Sequence, residues 1–408
     1  MKKLVYLDNA ATSFPKPPEV IEAMIHFMTN VGANPGRSGH ALAQEAEKIV
    51  RSTRESLAKL FHIADPSRIV FTLNITEAIN TVLLGFLEEG DHVVATAMEH
   101  NAVLRPLTYL KNKGIITYDI VPCDSQGILD LDALKKALTR KTRLLVVNHA
   151  SNVCGTIQDL KSIRNIAGDI PLLVDTAQTA GHFPIDVVKD GIDFLTFTGH
   201  KGLMGPQGTG GFYFREGLSL RPLKRGGTGS LSESLEQPEF LPDAFESGTQ
   251  NNVGIAGLGA GVDFILKTGI DSILIHEQKL LTLLLKGLRD LSGVTLYGPL
   301  DPAKQTATVS LTFDSLLPGG EEQTLGGCGA INLAWTEDGP LPSEAGALLN
   351  TKYDILVRTG LHCAPLAHKA LGTFPEGTIR ISIGYFNTEE DIKTVMKAVE
   401  NLARRAIP

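Results

Sequence analysis

The chain has 408 residues, 43% hydrophobic and 20% charged, with a net charge of −7 and a pI near 5.9. That is enough apolar material for a large core split over roughly two or three domains. The acidic balance leaves no nucleic-acid footprint or membrane-binding basic face, and no apolar run approaches the length of a bilayer span. The start, MKKLVYLDNAATSF, is broken by charge too soon for a signal peptide, so a cytoplasmic location is expected.

Residues 1–15 read as an arm with a strand at 4–7. Pro17 and Pro18 open a helix to about residue 28, since proline suits a first turn. Residues 34–40 form a loop, and 41–61 carry the apolar spacing of an amphipathic helix. An α/β alternation follows. Strands are predicted at 68–72, 92–96, 116–121, 143–148, 171–175, 193–198 and 211–215, with helices at 76–88, 102–113, 130–138 and 159–167. That pattern predicts a mostly parallel sheet. A polar loop spans 230–252, and helices follow at 253–267 and 270–291. A smaller α/β unit ends the chain, with strands at 294–297, 306–313, 355–357 and 378–382 and a helix at 388–405. The division expected is a large domain at 16–258 and a small one at 259–408, with the arm packed on the latter. The stretch 314–342 is too long for an ordinary connection. It reads as a tolerated insertion, with a flap or a partner-docking element as alternatives.

Two residues draw the chemistry together. Asp175 ends one short apolar strand, and Lys201 follows another. Ligands of open α/β sheets sit just beyond the carboxyl ends of the strands. A pyridoxal phosphate (PLP) enzyme needs this pair: a lysine for the Schiff base, and a carboxylate that keeps the pyridine nitrogen protonated. Taken singly, a solvated lysine and a turn-forming aspartate are the plainer readings. The glycine-rich run at 202–211 favours close approach of backbone to a ligand.

With Asp175-Thr-Ala-Gln178 and Thr198-Gly-His-Lys201, the chain resembles the class V aminotransferase branch of PLP enzymes, and within it the cysteine desulfurases. The likeness runs from Leu7-Asp-Asn-Ala-Ala-Thr12 to Gly384-Tyr-Phe-Asn-Thr388. It implies an α/β, aminotransferase-like fold with a seven-stranded, mostly parallel sheet and a smaller C-terminal α/β domain. It places Ile75, Thr76, Thr198 and His200 at the cofactor phosphate, with Thr249 completing that site from the second subunit of a homodimer. A plain helix cap with Thr76 as N-cap is the alternative for 74–77. His100 would stack on the ring, Gln178 would donate to the phenolic oxygen, and Asn152 would lie near that oxygen and the substrate carboxylate. Arg380 would clamp that carboxylate, because the guanidinium fork binds it bidentately, and Arg358 would assist. A structural ion pair is the competing reading for an arginine in so apolar a strand.

The loop Arg358-Thr-Gly-Leu-His-Cys-Ala-Pro365 resembles the one that carries the desulfurase nucleophile. Arg358 and His362 read as positive neighbours that raise the thiolate fraction of Cys363. Cys123 and Cys154 read as structural, and Cys328 is an unexplained thiol in the insertion. No C-x-x-C spacing occurs, so no metal is expected. The reaction implied takes L-cysteine to L-alanine. Lys201 removes the Cα proton, and Cys363 takes the sulfur as a persulfide. A sulfur-acceptor protein follows, in iron–sulfur cluster assembly or thio-cofactor synthesis. Rival readings are a selenocysteine lyase, a cysteine sulfinate desulfinase, a transaminase, or a non-catalytic scaffold on the same fold.

Overall fold

The computed structural model describes residues 4–36, 39–314 and 341–405. A seven-stranded sheet runs, in spatial order, Ile69–Thr72, Gly210–Phe214, Phe194–Thr198, Leu172–Asp175, Thr142–Asn148, Asp91–Thr96, Ile116–Val121. Gly210–Phe214 is antiparallel to both neighbours, and every other adjacent pair is parallel. The expected α/β class and mostly parallel sheet are therefore observed.

Helices cover both faces, which is why the central strands are apolar throughout rather than alternating. Leu172 and Val174 enter one core with Leu195 and Phe197. Leu173 and Phe194 enter the other, against the helices Ile75–Phe86 and Asn101–Asn112. That split is the two-residue side-chain period of a strand.

A second sheet, antiparallel, runs Arg358–Gly360, Thr378–Ser382, Thr308–Phe313, Val294–Tyr297. Its core is filled from Ile270–Leu288, Pro342–Tyr353 and Glu389–Arg405. Near the N-terminus Val5–Tyr6 pairs in parallel with Ile355–Leu356, and Asp8 bridges to Ser382. Three elements here escaped the sequence pattern: the helices Pro342–Tyr353 and Pro365–Ala370 and the strand Arg358–Gly360. The first does carry start signals. Pro342 opens it, and the Glu344 side chain accepts from the Leu341 N–H at 3.1 Å. The stretch read as an insertion, Cys328 included, lies almost wholly outside the described residues. Among the described residues, no single helix is long and apolar enough to cross a membrane.

Candidate active site

The floor of the candidate site lies at the carboxyl ends of parallel strands. Asp175, 2% exposed, ends its strand opposite Asn148. Its Oδ1 accepts from the Ala177 N–H at 2.9 Å. Burial pushes its carboxyl up, opposed by that hydrogen bond and by the Lys201 ammonium. Lys201 follows the strand Phe194–Thr198. Burial lowers its amine to about 8; Asp175 opposes the shift, and Arg380 and Arg358 add to it. The turn after it admits only glycine, because a Cβ at Gly202 would lie 2.3 Å from the Ala180 carbonyl and from the His182 ring. His182 is held there by Glu277, Nδ1 to Oε1 at 2.9 Å.

His100 caps the helix Asn101–Asn112, its Nδ1 accepting from the Ala102 N–H at 3.0 Å. Burial first, then the Lys201, Arg358, Arg105 and Arg380 charges, pull it down to about 4, so the ring is neutral at pH 7 with its proton on Nε2. At the corner opened by Ile75–Phe86, the N-cap is Asn74 rather than Thr76: Asn74 Oδ1 accepts from the Glu77 N–H at 3.0 Å. Asparagine reaches the third N–H of the helix from the cap position, which leaves Thr76 exposed on the first turn. Close approach explains Gly210, where a Cβ would meet Asn74 at 2.7 Å.

Arg380 is 1% exposed in its strand. Nη2 donates to Asp8 Oδ1 at 2.8 Å, and Nη1 to the Asn152 carbonyl at 2.9 Å. Both readings of this arginine therefore survive: it is in an ion pair and still has unused N–H groups, Nε among them. Arg358 lies directly opposite Arg380 in the antiparallel pairing. Like charges in that position repel. Asp8 is the one carboxylate paired with either of them among the described residues, so the two arginines keep an excess positive charge that suits an anionic ligand. Asn152 links this region to the next, its Nδ2 donating to the His362 carbonyl at 2.7 Å.

Cys363 is exposed on the loop after Arg358–Gly360. Its carbonyl accepts from the Asn101 N–H at 2.8 Å, which ties the loop to the helix that His100 caps. The Arg358 guanidinium reaches to 4.0 Å of its Sγ. His362 is not a second positive neighbour. Its ring is buried, with Nε2 3.2 Å from Thr378 Oγ1. Burial, then Arg380, His368 and Arg358, pull it down to about 2, so it is neutral. The other described thiols lack such a setting. Cys154 is fully buried against Thr156, and burial pushes Cys123 up to about 12.

The family model for class-V aminotransferases matches residues 5–395. A probable cysteine desulfurase of Methanothermobacter thermautotrophicus is 35% identical over 98% of this chain and 94% of its own. A cysteine desulfurase of Yersinia pestis is 34% identical over 98% and 94%. Among solved structures, an apo cysteine desulfurase from Thermococcus onnurineus superposes with a TM-score of 0.86 at 34% identity, covering 98% of this chain and 95% of that one. The chain belongs to the class V aminotransferases.

Members of this family are PLP enzymes, and the side chains present fit that cofactor. Thr198 Oγ1, His200 Nδ1 and Asn152 Oδ1 are buried without a hydrogen-bond partner. Buried polar atoms rarely stay so. The Thr198 hydroxyl and the His200 ring can each donate to a phosphate oxygen, while Asn152 Oδ1 accepts and so awaits an N–H or O–H of a ligand. Gln178 keeps one amide hydrogen for a ligand while the other goes to the Ala10 carbonyl at 3.1 Å. Thr249 is not brought to this group. It is exposed beside a cavity of about 550 Å3 that Arg54, Glu246 and Gly248 also line.

Sequence reasoning missed Asp8, the partner of Arg380, and Glu99. Glu99 is 0% exposed, and its Oε1 accepts from Thr96 Oγ1 at 2.7 Å and the Asn148 N–H at 2.8 Å. Burial pushes it up to about 8; its hydrogen bonds oppose the shift and the Asp175 charge adds to it. Its position just before His100 was the available signal.

Proposed function

We propose that the protein is a PLP-dependent cysteine desulfurase that converts L-cysteine to L-alanine and carries the sulfur as a persulfide on Cys363. The observation that carries this reading is the Cys363 loop. An exposed thiol stands 4.0 Å from a guanidinium and is bonded through its backbone to the helix that begins at His100. A transaminase has no use for such a thiol, and a scaffold has no use for the lysine, the aspartate and both arginines.

Each residue then has a task. Thr76, Thr198 and His200 hold the cofactor phosphate with the Ile75 backbone. Asp175 would stand at the ring nitrogen, His100 would cover the ring, Gln178 would donate to the phenolic oxygen, and Asn152 would lie near that oxygen and the substrate carboxylate. PLP, when bound, supplies the electron sink for the carbanion formed at the substrate Cα. Lys201 carries the cofactor and moves the Cα proton, and an amine near 8 is matched to that work. Arg380 takes the substrate carboxylate, with Arg358 turned to the thiol. The Cys363 thiolate attacks the substrate sulfur. The new S–S bond forms as the Cβ–S bond breaks, the electron pair left on Cβ is protonated, and Lys201 returns a proton to Cα, which gives alanine.

The helix Pro18–His26 and the turn beyond it leave Ile21, Ile25 and Met28 exposed. That stripe and the placement of Thr249 support a homodimer in which Thr249 completes the partner's phosphate site. A sulfur-accepting protein draws the persulfide off Cys363. A cytoplasmic compartment suits a mechanism that needs a free thiol.

The test is release of sulfide and alanine from L-cysteine under reductant, for wild type and Cys363→Ala, after PLP absorbance is confirmed in both. Turnover by wild type alone supports the reading. Equal turnover by the variant moves the function to a lyase that needs no cysteine nucleophile.

A further inference from the structure

The arm from Asp8 to Lys16 reaches the substrate arginine and the catalytic lysine alike. At one end Asp8 pairs with Arg380 at 2.8 Å, and the Ala10 N–H donates to Ser382 Oγ, in the same strand as Arg380, at 2.9 Å. In the middle the Ala10 carbonyl accepts from Gln178. At the far end three donors converge on the His200 carbonyl: the Ser13 N–H at 3.0 Å, Thr12 Oγ1 at 3.0 Å and Lys16 Nζ at 2.8 Å. Ser13 Oγ donates to the Lys201 carbonyl at 2.8 Å and accepts from Lys16 Nζ at 2.7 Å.

A carbonyl has two lone pairs, so three donors exceed what pinning an arm requires. Lys16 adds to the case. Its ammonium makes no ion pair among the described residues, and burial lowers it to about 8. A desolvated ammonium with no counter-ion is costly, and here it is aimed at the carbonyl of His200, next to Lys201, and at the Ser13 hydroxyl that bonds the Lys201 carbonyl.

We propose that Ser13 and Lys16 are positioning residues for Lys201. The arm couples them through Asp8 to Arg380, so that one short stretch of chain sets the base and the substrate carboxylate in register. The proposal rests on the desulfurase reading for its kinetic arm, but not for its spectroscopic one. Shifting the Lys201 backbone moves the amine away from the Cα proton, and misplacement by about 1 Å can cost about a hundredfold in rate.

The experiment compares PLP-loaded wild type with Ser13→Ala, Lys16→Met, Asp8→Asn and the double variant Asp8→Asn/Lys16→Met. Circular dichroism and melting temperature confirm that each is folded. The first readout is the pH midpoint of the absorbance of Lys201-bound PLP without substrate. It shifts in Ser13→Ala and Lys16→Met if the arm sets the lysine. The second is L-cysteine turnover. Ser13→Ala and Lys16→Met each lose about tenfold in kcat with KM within about twofold, and the double variant is no slower than the slower of Asp8→Asn and Lys16→Met. An unchanged midpoint and kcat in Ser13→Ala and Lys16→Met overturns the proposal. So do losses that multiply in the double variant, since they mean two independent contacts. A shifted midpoint in a protein whose wild type does not turn over L-cysteine leaves the lysine assignment standing and sinks the desulfurase reading instead.

Discussion

Asp175 and Asn148 end neighbouring strands and Glu99 follows the next one, at 2%, 3% and 0% exposed, whereas Cys363 stands exposed on a loop. There His362 and Cys363 both take left-handed backbone, with φ of 48° and 60°. Such backbone costs energy in non-glycine residues and collects at functional sites. The floor gains from rigidity and dryness, because fixed charges act most strongly where water is excluded. The proposed role asks the opposite of the loop, since a persulfide would be formed inside the site and handed on outside it. One buried residue joins the two regimes: Asn152 donates to the His362 carbonyl and accepts from Arg380.

Substitutions in each regime separate their roles. If Lys201 moves the Cα proton as proposed, Lys201→Ala ends alanine formation, a loss of about 10⁴-fold or more, checked by alanine assay. Cys363→Ala lowers sulfide release by about 10³-fold yet leaves PLP absorbance intact, because the thiol's own contact is with Arg358 and the backbone bonds that tie the loop to the floor remain. A parallel loss of cofactor would mean that the two regions are not separable. Arg380→Lys keeps the charge but loses the fork and the bond to Asn152. KM for L-cysteine should rise about 10- to 100-fold, the equivalent of one charged hydrogen bond, while cysteamine, which lacks the carboxylate, should react with both forms alike.

The smallest effect tests the floor alone. The folded value of Glu99, about 8, lies above the carboxyl's ordinary 4.5. Folding then retains a proton that the unfolded chain releases, so this group's contribution is full below pH 4.5 and is lost as pH rises to about 8. Glutamine has no proton to retain. The melting-temperature advantage of Glu99→Gln over wild type should grow across that window and level off above it. A difference independent of pH would mean that Glu99 is ionised throughout.

Much of this was legible in the sequence. Period and punctuation placed Ala41–Phe61, Ile116–Val121 and Thr378–Ser382 at their observed bounds. Strand ends followed by Asp175 and Lys201 pointed to the site. Pairings across the chain were not legible. Asp8 and Arg380 lie 372 residues apart, and no local pattern reports such a contact. Nor does sequence distinguish a charged histidine from a buried one, which is why His362 read as a cation beside the thiol. Helix capping was mis-set at Thr76 because Asn74 and Thr76 are both good caps two residues apart, and only the backbone decides between them.

The central claim is that sulfur from L-cysteine passes to Cys363. The most direct measurement is mass spectrometry of the PLP-loaded protein after L-cysteine without reductant, followed by peptide mapping. The account predicts one added sulfur atom on the peptide that contains Cys363, absent in Cys363→Ala. Alanine formed at the wild-type rate with no sulfur on that peptide would contradict it.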